Sequence, residues 1–124
     1  MKILSVDDSK ATRQFIKRAV DVLGFEFLEA ADGKEGLEIL NTEGVRVDLI
    51  LLDWNMPVMD GIEMLKILKS SSLLKGIPVT FVSTEQERQK ISEALHHGAR
   101  NFLIKPFSQE DLIGKIMESL GMEV

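Results

Sequence analysis

Short apolar runs alternate along the chain with segments in which apolar residues recur every three or four positions. The runs predict five strands, at 3–6, 25–30, 47–52, 79–82 and 101–104. Strands buried on both faces have nearly continuous apolar sequences, unlike the alternating sequences of half-exposed strands. The regular succession of strand and helix signals therefore predicts an α/β fold in which crossover helices connect a parallel sheet.

Helical spacing and helix-start patterns predict a helix after each strand. The first helix ends before Gly24, and the other four begin with an acceptor side chain followed three residues later by an acidic residue. These pairs are Asp32 with Glu35, Asp60 with Glu63, Thr84 with Glu87, and Ser108 with Asp111. The predicted apolar faces include Ala11, Phe15, Ile16, Ala19, Val20, Val22 and Leu23 in the first helix, Ile91, Ala94 and Leu95 in the fourth, and Leu112, Ile113, Ile116, Met117 and Leu120 in the fifth. Residues 41–46 are predicted to form a loop.

Composition favours one small domain. The chain has 124 residues, 44% of them hydrophobic, and no segment resembles a linker, so we expect a single domain over 1–124.

A net charge of −5 argues against direct binding of nucleic acid. The chain has no cysteine for disulfides and no apolar stretch near the roughly 18 residues of a membrane span. Because Asp7 and Asp8 interrupt the opening apolar run, a signal peptide is not expected, and the cytoplasm is the expected location.

Charged residues follow three of the predicted strands: Asp7 and Asp8 the first, Asp53 the third, and Lys105 the fifth. Ligand sites in open α/β sheets lie at the carboxyl ends of the strands, so these charges are predicted to converge. Two carboxylates about 4 Å apart repel by roughly 4 kcal/mol at an effective dielectric near 20, which favours a shared divalent cation. Mg²⁺ suits this supply of oxygens, with Asp8, Asp53 and the Asn55 backbone carbonyl as ligands and Asp7 holding bound waters.

Each of these residues also has a simpler interpretation. Asp7 and Asp8 can cap the first helix, since acidic groups stabilise helix N-termini. Lys105, which precedes Pro106, can be a solvated lysine in a turn whose direction the proline restricts. The Ser83 hydroxyl can either cap the fourth helix or donate to a phosphoryl oxygen, and Thr84 is an equally good candidate for the cap.

Over its whole length the chain resembles the receiver domains of the response-regulator family. The resemblance rests on Asp7-Asp8, on Asp53, on Met56-Pro57 with Asp60-Gly61, on the hydroxyl at Ser83, and on Lys105-Pro106-Phe107. It implies a doubly wound, flavodoxin-like sheet with strand order 2-1-3-4-5. Each motif alone is weak, but their joint spacing is specific.

The resemblance also implies a mechanism and partners. Asp53 would accept a phosphoryl group, with Mg²⁺ bound, from a sensor histidine kinase or phosphotransfer protein, and Lys105 would hold the transferred group. Ser83 would move towards the phosphoryl group, and Phe102 would turn inward into the vacated space. A downstream target protein would read the switch on the face formed by the last two helices and the fifth strand, and the protein would be a monomer or weak homodimer without membrane insertion. The only catalysis expected is its own phosphorylation and slow dephosphorylation.

Three other functions are considered for this sequence. A receiver domain cut from a longer regulator is the main alternative, although 121–124 resembles a natural tail. A magnesium phosphatase that forms an aspartyl phosphate needs a second acid two residues after the acceptor, where this chain has Asn55. A flavin-binding electron carrier needs a phosphate-binding loop after the first strand, where Asp7 and Asp8 would repel phosphate.

Overall fold

The parallel sheet predicted from the apolar runs is present in a computed structural model of the protein, which describes residues 1–42 and 46–122. Its five strands are hydrogen-bonded in the order 2-1-3-4-5, which confirms the expected flavodoxin-like α/β fold. The elements are β1 (Lys2–Val6), α1 (Lys10–Val22), β2 (Glu26–Ala30), α2 (Gly33–Leu40), β3 (Leu49–Asp53), α3 (Gly61–Ser70), β4 (Val79–Thr84), a 3-10 helix (Glu85–Lys90), α4 (Ile91–His96), β5 (Asn101–Lys105) and α5 (Gln109–Ser119).

Helices cover the sheet on both sides. One buried apolar cluster joins the sheet to α2, α3 and α4, and a second joins it to α1 and α5. All five residues of β3, the central strand, are buried, as the continuous apolar sequence before Asp53 predicts. Within the described ranges, none of the helices has the length and apolar character needed to cross a membrane.

The helix-start patterns are confirmed for α2, α3 and α5. Asp32, Asp60 and Ser108 are their N-caps, and each side chain accepts the backbone N–H three residues later. The alternative in which Asp7 or Asp8 caps α1 is wrong, because the N-cap is Ser9, whose hydroxyl accepts the Thr12 N–H at 3.2 Å. Neither aspartate is therefore the N-cap residue of α1.

Several predicted boundaries and faces are wrong. Val22 is 67% exposed and Leu95 is 44% exposed, so the apolar faces of α1 and α4 are narrower than the sequence pattern indicates. The fourth helix begins with six residues of 3-10 helix rather than α-helix. The third, fourth and fifth strands end at Asp53, Thr84 and Lys105, one or two residues later than predicted, so the third and fifth carry their charged residues as final strand positions. Of the predicted loop at 41–46, residues 43–45 lie outside the described residues.

The loop between β3 and α3 contains a strained turn. Val58 has a φ of 70°, and the Met59 N–H donates to the Pro57 carbonyl at 2.7 Å. An i→i+2 hydrogen bond around a residue of positive φ defines the rare, strained form of the γ-turn, and a β-branched residue is poorly suited to it. Since Val58 is 75% exposed, burial of its side chain does not offset the strain.

Replacing Val58 by glycine should stabilise the protein. Relief of the backbone strain should stabilise the folded state by about 1 to 3 kcal/mol. Glycine loses more backbone entropy on folding, which costs roughly 0.5 to 1 kcal/mol, so we expect a net gain in stability of about 1 kcal/mol. Urea unfolding measures this gain. Val58→Ala is the matched control, because alanine keeps the Cβ and should recover less than half of the gain; equal gains from the two variants would contradict the assignment of strain.

Candidate functional site

Three strand ends bring four charged side chains to one edge of the sheet. Asp7 directly follows β1, Asp53 ends β3 and Lys105 ends β5. Carboxylate oxygens of Asp7, Asp8 and Asp53 all lie within 4.8 Å of one another. The Lys105 ammonium reaches across the end of β4 to lie 3.4 Å from Asp7 Oδ2 and 3.5 Å from Asp53 Oδ1. The structure thus brings together the charges that the sequence predicted to converge.

These acids differ in their access to solvent. Asp7 is 1% exposed and Asp53 is 6% exposed, whereas Asp8 is exposed. Burial, and next the charge of Asp7, raise the pKa of Asp53 from 3.8 to about 7, although the Lys105 ammonium acts in the opposite direction. A single ammonium therefore does not offset the combined effect of burial and of the Asp7 charge on the pKa of Asp53. A further cation at this edge would favour the ionised form of Asp53.

The residues present fit a magnesium ion. All three acids offer carboxylate oxygens, the donor type that a hard cation prefers, and Mg²⁺ is usually held by only one or two carboxylates together with waters. The exposed carboxylate of Asp8 leaves the cluster open to solvent on one side. Asn55 lies exposed two residues after Asp53, in the loop that follows β3.

The structure distinguishes between the two hydroxyls at the end of β4. Thr84 is the N-cap residue of the 3-10 helix, and its N–H and hydroxyl donate to Glu87 Oε1 at 2.9 and 3.0 Å. Ser83 is fully buried, and among the described residues no group forms a hydrogen bond with its hydroxyl. Ser83 is therefore the hydroxyl that remains free at this edge of the sheet.

Phe102 lies at the second position of β5 and is partly buried. Its ring packs against the apolar cluster beneath α2, α3 and α4, and the Lys115 ammonium lies 5.9 Å from the ring centroid. The ring therefore links that apolar cluster to α5.

Gly61 allows the start of α3 to approach the site. Its N–H donates to the Trp54 carbonyl at 2.9 Å. A Cβ at position 61 would collide with the Asp53 carbonyl oxygen and lie 2.8 Å from Phe81 Cε1. The start of α3 can therefore lie against the Asp53 backbone only because residue 61 is glycine.

Sequence reasoning did not single out Ser9 or Arg13. Ser9 caps α1, and the Arg13 guanidinium donates to the backbone carbonyl of Asp7 and to Glu29 Oε1. The serine was detectable as an N-cap residue before a helical pattern. Nothing in the sequence indicates the contacts of Arg13, because Arg13 lies on α1 and Glu29 lies 16 residues away on β2.

Comparison with known proteins agrees with this geometry. Residues 3–117 match the family described as "Response regulator receiver domain". The chain is 38% identical to chemotaxis protein CheY1 of Helicobacter pylori and 36% identical to a chemotaxis protein CheY homolog of Campylobacter jejuni, over 98% of this chain and 98% and 93% of those proteins. The solved structure of chemotaxis response regulator CheY4 of Vibrio cholerae superimposes with a TM-score of 0.86 at 37% identity, covering 96% of this chain and 98% of that one.

The fold and the acidic edge define a signalling switch of two-component systems. The chain belongs to the response regulator receiver domain family. Membership implies interaction with histidine kinases or phosphotransfer proteins and with downstream targets. Receiver domains bind Mg²⁺ at an acidic pocket, and this chain has an acidic cluster formed by Asp7, Asp8 and Asp53.

The raised pKa of Asp53 predicts a pH-dependent stability in metal-free protein. The folded carboxyl keeps its proton up to about pH 7, whereas the unfolded carboxyl loses it near 3.8, so the free energy of unfolding should fall as the pH rises between these values. Asp53→Asn should remove this fall in the free energy of unfolding, because asparagine does not titrate. The stability difference between the variant and the wild type should grow by at most about 1.4 kcal/mol per pH unit within the window. Urea unfolding in EDTA measures it, and a constant difference across the window would contradict the assignment.

Gly61→Ala should destabilise the protein. The added methyl group has to displace the Asp53 backbone or the Phe81 ring, and overpacking of this kind costs about 1 to 3 kcal/mol. Gly114→Ala is the matched control, because that position on α5 has open space and alanine favours helices by roughly 1 kcal/mol. Thermal unfolding of both variants checks the prediction, and a stabilised Gly61→Ala would contradict it.

Proposed function

We propose that Asp53 is the phosphoryl acceptor of a response regulator. The observation that carries the proposal is the position of its buried carboxylate, within 4.8 Å of two further carboxylates and 3.5 Å from the Lys105 ammonium. Phosphoryl transfer needs little covalent work from a protein, so catalysis consists mainly of positioning and of stabilising charge. A carboxylate nucleophile beside a fixed cation provides both.

The reaction transfers a phosphoryl group from a phosphohistidine. An ionised oxygen of Asp53 attacks phosphorus in line with the phosphorus–nitrogen bond, that bond breaks, and the imidazole nitrogen keeps the electron pair. The products are an acyl phosphate on Asp53 and a histidine that regains its proton from solvent. Lys105 stabilises the negative charge on the transferred phosphoryl oxygens, in the role of the cation that phosphoryl-transfer sites require.

Magnesium is the proposed cofactor. Asp8, Asp53 and the backbone carbonyl of Asn55 would hold the ion, and Asp7 would hold its waters, because an octahedral oxygen site with few carboxylates is typical for Mg²⁺. The ion would supply positive charge that neutralises the phosphoryl oxygens and keeps Asp53 ionised.

Ser83 and Phe102 are the proposed switch. The Ser83 hydroxyl is buried without a partner in the described part of the chain, so a hydrogen bond to a phosphoryl oxygen would satisfy it. Movement of Ser83 would open space into which Phe102 turns. A group of charge about −1.5 to −2 thereby biases a two-state packing arrangement that extends to β5.

A downstream protein is proposed to read this change on the face formed by α4, β5 and α5. We further infer that residues 1–124 form one receiver domain that acts as a monomer or weak homodimer. Its chemistry is limited to its own phosphorylation and slow dephosphorylation, since the exposed amide of Asn55 cannot serve as the general acid that rapid turnover requires.

Incubation with acetyl phosphate and Mg²⁺ tests the proposal directly. Mass spectrometry should show one phosphoryl group on the wild-type chain and none when EDTA replaces the metal. Asp53→Asn should abolish the modification, because an amide is not an adequate nucleophile. Lys105→Met should slow it by about 100-fold or more, the usual cost of losing one charge-stabilising group.

Asp60→Asn is the control, since Asp60 also lies after β3 but caps α3. It should be phosphorylated like the wild type. A phosphoryl group that persists in Asp53→Asn would show that another residue is the acceptor.

A further inference from the structure

Arg13 makes two hydrogen bonds that connect the acidic edge to the neighbouring strand. Its Nη1 donates to the backbone carbonyl of Asp7, and its Nε donates to Glu29 Oε1 at 2.7 Å. The Arg13 side chain is 13% exposed and that of Glu29 is 40% exposed. Charge-assisted hydrogen bonds in such partly buried places are stronger and more directional than those on open surfaces.

The bond to Asp7 fixes a particular peptide plane. The carbonyl of Asp7 and the N–H of Asp8 belong to the same planar unit, and the two carboxylates project from the α-carbons on either side of it. A guanidinium that holds this carbonyl therefore restricts the direction of both side chains. Two further bonds act on the same turn: the Asp7 N–H donates to the Ala30 carbonyl at 3.0 Å, and the Ser9 N–H donates to Asp7 Oδ1 at 2.8 Å.

Glu29 balances the charge of Arg13. An unpaired guanidinium beside three acids would compete electrostatically with a divalent cation. Paired with Glu29, it keeps its donor geometry while the pair as a whole has no net charge.

We propose that Arg13, held by Glu29, is a positioning residue for the magnesium site, acting through the Asp7–Asp8 peptide. The inference rests on the proposed function, because it concerns the binding of Mg²⁺ to Asp7, Asp8 and Asp53. Arg13 does not touch the ion or the phosphoryl group. Its effect is on how well the acidic side chains are arranged before the ion binds.

Magnesium titrations of variants separate positioning from charge. Trp54, the single tryptophan, follows Asp53 directly and serves as the fluorescent reporter at constant ionic strength, with the Mg²⁺-dependent rise in Tm as a second readout. In Arg13→Lys the charge is kept but one ammonium cannot reproduce the two-pronged geometry, so the Kd for Mg²⁺ should rise about tenfold. In Arg13→Gln a purely electrostatic role would tighten binding, because the site becomes more negative, whereas a positioning role weakens it.

A salt bridge between β1 and β2 provides the control. Lys2 and Glu26 form a salt bridge of 3.4 Å and face each other in the register of β1 and β2, at the opposite end from the acids. Glu26→Gln should leave the Kd for Mg²⁺ unchanged. Glu29→Asp keeps the charge of the pair but shortens the side chain that holds the guanidinium. It should raise the Kd by about threefold, whereas a purely electrostatic role leaves the Kd unchanged, so it decides the question if the Arg13 variants do not fold.

The rate of phosphorylation by acetyl phosphate gives an independent check. At saturating Mg²⁺, Arg13→Lys should recover to within about twofold of the wild-type rate, because the loss lies in binding of the ion. A Kd for Arg13→Lys within twofold of the wild-type value, or tighter binding by Arg13→Gln, would overturn the inference. A wild-type protein that binds no Mg²⁺ would instead overturn the proposed function, so the two failures are distinguishable.

Discussion

Mutual repulsion among three carboxylates is the constraint on which the rest of this structure depends. Asp7, Asp8 and Asp53 lie within 4.8 Å of one another, and two of them are almost completely buried. Lys105 is the one ammonium within ion-pair distance of the two buried acids among the described residues, at 3.4 and 3.5 Å. Burial, and next the charge of Asp7, raise the pKa of Asp53 in spite of Lys105, and a ligand of positive charge would favour the ionised form.

The surrounding elements keep this unfavourable arrangement in place. β3 is buried along its whole length, which leaves Asp53 little freedom to move towards solvent. Gly61 brings the start of α3 against the Asp53 backbone, and Val58 holds a strained turn in the loop between them. Strain and close approach of this kind persist only where the neighbouring structure determines them, and they are common at functional sites.

The same edge of the sheet carries a second unsatisfied feature. Thr84 bonds to Glu87 and thereby leaves Ser83 as a buried hydroxyl with no partner in the described part of the chain. Glu87 is also buried, and its second carboxylate oxygen has no hydrogen-bond partner among those residues. Both unsatisfied groups therefore lie near the junction of β4 and the 3-10 helix. A rearrangement of this junction would change their hydrogen bonding. Unsatisfied buried groups of this kind support the proposal of a two-state packing arrangement near the site.

The sequence by itself determined the α/β class, most element positions and the identity of the charged residues, because continuous apolar runs and capping residues act through local chemistry. Strand order came from resemblance and was then observed, since periodicity does not specify which strands are neighbours. Tertiary structure alone decided that Ser9 rather than Asp7 caps α1, that Thr84 rather than Ser83 is held by Glu87, and that Arg13 reaches the Asp7 carbonyl. These outcomes depend on distances between groups that the chain brings together only after the sheet has formed, and no local pattern encodes them.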